Sequence, residues 1–123
     1  MKFMLIVKAT KDTEAGTPPD PKLLEAIGKL AQEMGEAGVK LDTAGLAPSS
    51  QGVRVRLSGG KLTASNGPSA NASDLVGGYA IVEVQSKAEA VEWSKRFWKV
   101  HADVLGPSYE GESEIRQVFG FES

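Results

Sequence analysis

The chain switches between two hydrophobic periods, and the switches mark out its elements. It opens on "KFMLIVKA", a mostly apolar run that predicts a buried strand from Lys2 to Ala9. The polar stretch "KDTEAGTPPD" reads as a loop and ends at Asp20, a good N-cap followed by Pro21 at the first helical position. From there Leu23, Leu24, Ile27, Leu30, Ala31 and Met34 recur at helical spacing and form one apolar stripe. Gly35 and Gly38 close it, with Gly38 placed for a left-handed cap.

The period then becomes two. "KLDTAGLAPSS" predicts a short strand ending at Pro48, after which Val53, Val55 and Leu57 alternate with Arg54 and Arg56. Gly59-Gly60 is a two-residue hairpin signal, with Leu62 and Ala64 on the returning strand. Asn66 to Gly77 is a loop of small, polar, Gly and Pro residues, and "GGYAIVEV" behind it predicts a central strand. Ser86 and Glu89 have capping-box spacing, and Ala90, Val91, Ser94, Phe97 and Trp98 share the face of the helix that follows. "SEIRQVFGF" predicts a last strand carrying Ile115, Val118 and Phe119.

The resulting order, β-α-β-β-β-β-α-β, is that of an α+β chain: a ferredoxin-like βαββαβ plan with an inserted hairpin. Two helices cover only one face of such a sheet. A second copy of the sheet is the simplest cover for the other, so a homodimer is expected.

Composition narrows the functions. At 123 residues, 41% of them apolar and 24% charged, the chain is expected to fold as one domain over residues 1–123. A net charge of −2 with scattered Lys and Arg lacks the basic face that nucleic acid requires. The absence of cysteine excludes disulfides, thiolate nucleophiles and Cys-ligated metals. The apolar run Phe3 to Val7 is too short for a secretion signal or a membrane span, so a cytoplasmic protein without membrane contact is expected. No phosphate-loop, dinucleotide or G-x-S-x-G signature appears, and no cofactor is expected.

The residues from "AGLAPSSQGVRVRLSGGKLTAS" through "NGPSANASDLVGGYAIVEVQSKAEAVEW" resemble the YCII-related proteins of the DGPF type. Gly45, Leu46, Pro48, Val53, Arg54, Gly67, Pro68, Ala70, Gly77, Gly78, Tyr79, Glu89, Ala90 and Trp93 match that family's pattern in register, and "KFMLIVKATKDTEAG" and "EIRQVF" are similar too. The resemblance implies a dimeric α+β barrel of bacteria and brings no established activity. A branch with a His–Asp pair has been proposed to be enzymatic. In this chain the signature loop is stripped of charge: Asn66 stands for the family's Asp, Ser69 for Phe, Asn71 for Glu and Ser73 for Lys, and Asp74 alone keeps a carboxylate. Asn66-Gly67-Pro68 retains the turn chemistry, while the groups able to move a proton are mostly gone.

The candidate catalytic residues are His101, the one histidine, with Asp103 or Asp74 in support. The competing reading is a histidine favoured by the helix C-terminal dipole and nothing more. For ligand binding the candidates are Arg54, Arg56, Asn66, Tyr79 and Trp93: two guanidiniums for an acidic group, and aromatic rings for an apolar one. Against this stand a solvated sheet face for the arginines and core or interface packing for Trp93. One histidine and no cysteine leave no metal site to expect. Three functions stay open: a homodimeric domain binding a small apolar or aromatic, acidic molecule; a cofactor-independent lyase, isomerase or oxygenase using His101; and a structural or regulatory interaction module. Residues 101–113 are also a candidate lid over the site.

Overall fold

A computed structural model describes residues 1–68 and 75–119. The elements are β1 (Lys2–Lys8), α1 (Lys11–Glu14), α2 (Pro21–Glu36), β2 (Lys40–Gly45), a 3₁₀ turn (Ser49–Gln51), β3 (Val53–Ser58), β4 (Lys61–Asn66), β5 (Val76–Glu83), α3 (Lys87–Leu105) and β6 (Ser113–Gln117). The fold is mixed α+β. Four strands form one sheet in the order β2-β5-β1-β6, each antiparallel to its neighbours, and β3 and β4 form a separate two-stranded ribbon. This order is compatible with the ferredoxin-like plan, with β3–β4 inserted between β2 and β5.

Local chemistry explains most boundaries. Asp20 Oδ1 accepts from the Lys22 amide at 2.8 Å and starts α2. At its end Gly38, at φ 81°, gives its amide to Gly35 O (3.0 Å) and Val39 gives its own to Met34 O (2.9 Å). This six-to-one, five-to-two closure brings buried Val39 beside buried Met34 as the chain turns into β2. Ser86 Oγ accepts from the Glu89 amide (3.2 Å), but the Glu89 carboxylate reaches one residue past the cap, to the Gln85 amide (2.8 Å). Gly59 and Gly60 both take positive φ, as the tight turn of β3–β4 requires.

Three expectations need correction. The loop after β1 holds the short helix α1, capped by reciprocal bonds between Thr10 and Thr13, a box made with a second threonine instead of Glu. β2 stops at Gly45 rather than Pro48. β6 stops at Gln117, leaving Val118 and the 90% exposed Phe119 outside it.

Strand alternation sorts the sheet into two faces. Towards the helices lie Phe3, Leu5 and Val7 of β1, paired with Val82, Ala80 and Gly78 of β5. The core is Phe3, Leu5, Leu30, Met34, Val39, Val82, Val84 and Ala90, with Phe3 and Val82 almost fully buried. Met4, Ile6, Tyr79 and Ile81 point to the opposite face, where Lys8 pairs with Glu114 at 3.7 Å.

Candidate functional site

The register of the sheet creates a hollow. Three cross-strand rows face the helices: Leu41–Val82–Phe3, Thr43–Ala80–Leu5 and Gly45–Gly78–Val7. Side-chain volume falls along the series, and the third row places two glycines side by side. Leu41 and Val82 of the first row line the hollow as well, and the small side chains of the other two rows leave it unfilled. A cavity of about 300 Å³ remains between sheet and helices.

Its floor is Gly78 and Ala80, its roof Ile27, Leu30 and Ala31 of α2, and its side wall Trp93 and Phe97 of α3. The exposed lining residues Leu24, Thr43 and Gly45 mark the open side. No Lys, Arg, His, Asp or Glu lies in the lining among the described residues. The polar groups that do lie there are mostly engaged already. Thr43 Oγ1 donates to Tyr79 O (2.8 Å), and Ser94 and Ser113 share a 2.7 Å hydroxyl contact, with Trp98 Nε1 donating to Ser113 Oγ at 3.0 Å. A cavity so lined presents apolar surface and few free polar groups.

The glycines serve this geometry directly. A Cβ on Gly78 would lie 2.9 Å from the Ala44 carbonyl oxygen, so β2 and β5 approach closely only because Gly78 has none. Gly77 is the extra residue of a bulge between the Val7–Gly78 and Lys8–Val76 pairs, and a Cβ there would crowd Ala9 Cα at 3.2 Å.

Trp93 is half-buried in the cavity wall, with the Arg96 guanidinium 4.8 Å above its ring. Arg96 also pairs with Glu33 and ties α3 to α2. Tyr79 belongs to the wall through its place in β5, while the register sets its side chain on the uncovered face with Ile6 and Ala44. Arg54, Arg56 and Asn66 are brought elsewhere. All three lie on the exposed ribbon β3–β4, outside the lining, with Arg54 Nε donating to Gly67 O at 3.2 Å.

His101 sits apart from the cavity, on the buried side of α3. Its Nδ1 lies 2.8 Å from Phe97 O, so this nitrogen carries the proton and Nε2 does not in the neutral ring. Phe97 (4.4 Å), Trp98 (5.0 Å) and a stacked Tyr109 (5.5 Å) surround it. Burial pushes its pKa below the ordinary 6.5 against the opposing effect of the Phe97 hydrogen bond. Asp103 faces Lys99, whose Nζ is 2.9 Å from its Oδ2, on the exposed side of the helix. Asp74, like Ser69, Asn71 and Ser73, lies outside the described residues.

Residues 106–112 pack on this aromatic group. Tyr109 stacks on His101, and a Cβ on Gly111 would collide with the Trp98 ring. Among the described residues no three His, Asp or Glu side chains gather as a metal-ligand set, and no helix is long and apolar enough to cross a membrane.

Sequence reasoning missed the small residues. Ala31, Gly45 and Ala80 carry no chemistry of their own, and they shape the cavity only once the strands are in register. The family model of the YCII-related domain matches residues 1–119. No curated protein matches the chain.

Proposed function

The chain belongs to the YCII-related family, and on that footing we propose that it is a small-molecule-binding domain whose ligand is apolar or aromatic and enters the cavity between sheet and helices. The cavity itself carries this reading: about 300 Å³, walled by Leu30, Ala31, Ala80, Trp93 and Phe97, at the lower end of volumes that hold small ligands. The uncharged lining favours the ring system as the recognised part. An acidic group, if the ligand has one, belongs at the open side beside Thr43.

The functional unit is proposed to be a homodimer in which two sheets meet through the face bearing Met4, Ile6, Tyr79 and Ile81, giving the dimeric α+β barrel. The support is that α2 and α3 occupy the other face, and an apolar ridge flanked by ion pairs suits a twofold contact.

The catalytic reading of His101 receives no geometric support. Its ring is caged by aromatics, and Asp103, the one of its two proposed helpers among the described residues, is paired with Lys99.

Two probes with the same ring test the proposal: 2-naphthol and naphthalene-2-carboxylate, titrated calorimetrically. Saturable one-to-one binding of the naphthol, lost in Ala80→Leu, is expected. Binding that Ala80→Leu leaves untouched would sink the cavity as the site, and tighter binding of the carboxylate would sink the neutral-ring preference.

A further inference from the structure

Ribbon β3–β4 is as well patterned as any strand pair in the molecule, and among the described residues no other strand uses the pattern. Its register places Val53, Val55, Leu57, Leu62 and Ala64 on one side and Arg54, Arg56, Thr63, Ser65 and Lys61 on the other. Both sides are exposed from Val53 to Asn66. Val55 is 72% exposed, Leu57 70% and Leu62 73%, in one contiguous strip. Among the described residues the two strands pair with each other and with no other strand. A lone two-stranded ribbon is marginal in water, and a contiguous exposed apolar strip marks a contact surface.

The root of the ribbon is nevertheless fixed. The Glu14 carboxylate accepts from the Ser49 amide at 2.9 Å and from the Ser49 hydroxyl, clamping α1 to the turn that leads into β3. Gly67 N donates to Gly52 O at 2.9 Å and closes the base. The ribbon is therefore held at one end and projects from the body.

The chain exposes 8805 Å², whereas a compact chain of 13.0 kDa exposes about 6,300 Å². A standard interface removes about 800 Å² from each partner, roughly a third of that excess, and obligate dimers remove more. A nucleic acid would take the basic side and leave the apolar strip in water, so the strip favours protein, and the excess area has room for the interface that a second copy would form.

We propose that β3–β4 is an exchanged arm, which lays Val53, Val55, Leu57 and Leu62 on a second copy of this chain and receives that copy's arm in return. The inference rests on the homodimer proposed above and names the segment that locks it. The basic side stays in water and keeps the arm soluble before assembly.

Sedimentation equilibrium of the full chain and of V55K/L62K tests it, with circular dichroism as the check on folding. The expected result is a wild-type dimer at micromolar concentration and a variant whose dissociation constant is weaker by about 100-fold or more. A folded variant with wild-type affinity would overturn the arm and leave the sheet-face dimer standing, to be broken instead by I81K. A wild-type mass of one chain would overturn both. Because the chain has no cysteine, Ala64→Cys carrying a nitroxide gives an answer even if V55K/L62K fails to fold. An immobilised label that turns mobile on dilution supports the arm. A label that is mobile in a sample sedimenting as a dimer overturns it.

Discussion

The two ends of the central sheet are built from the same strands and differ in one respect, the size of the side chains that face the helices. At one end Leu41, Val82 and Phe3 stand in a row, and Val82 and Phe3 are almost fully buried. At the other, Gly45, Gly78 and Val7 stand in a row, and the space above them is a cavity. The large row props α2 and α3 off the sheet, and its Leu41 and Val82 also bound the hollow that the smaller rows leave. Packing and a cavity are thus divided along one sheet, and among the described residues no charged side chain lines the cavity.

The comparison breaks first at the filled end. Phe3→Ala should cost about 3–5 kcal/mol, the range for removing a buried phenylalanine, read as a lower urea midpoint with unchanged slope. A loss below about 1 kcal/mol would mean that the first row does not set the helix height. Gly78→Ala comes next. Its Cβ meets a backbone oxygen at 2.9 Å, so a loss of about 1–3 kcal/mol is expected although the change adds one methyl beside a cavity. Ala80→Leu reverses the sign: it fills the hollow and should raise stability by about 0.5–1 kcal/mol, checked by thermal unfolding.

The smallest effect lies outside both ends, at His101. Burial holds its pKa below 6.5 in the fold, so between the folded value and 6.5 the unfolded chain binds more protons. Its contribution is complete above pH 6.5 and is lost as the pH falls through the folded value. His101→Gln should flatten that part of the stability profile, and an unchanged slope would contradict the buried, neutral ring.

Much of the frame was legible in the chain, because its signals are local. Asp20-Pro21 starts α2, Gly38 ends it, Gly59-Gly60 turns the ribbon, and the alternation of Val53, Val55 and Leu57 with Arg54 and Arg56 is that of a strand with one covered face. What alternation cannot say is what does the covering. The ribbon's apolar side is exposed from Val53 to Asn66. The site was less legible for a related reason. Gly45 and Gly78 are far apart in sequence and become neighbours only through the β2–β5 register, so the hollow is a property of pairing and of missing side chains. Trp93 was found because aromatic side chains announce themselves, and it does line the cavity. His101 and Asp103 invited pairing because they are two residues apart, a spacing that puts side chains on different sides of a helix. One turned to Phe97 and Tyr109, the other to Lys99.

The most direct test locates a bound probe. An isotope-filtered NOE spectrum of labelled protein with unlabelled 2-naphthol should show the ring protons against Leu30, Ala31 and Ala80, with Trp93 shifted. Contacts confined to Val55, Leu57 and Leu62 would place the probe on the bare ribbon and contradict a binding site in the hollow of the sheet.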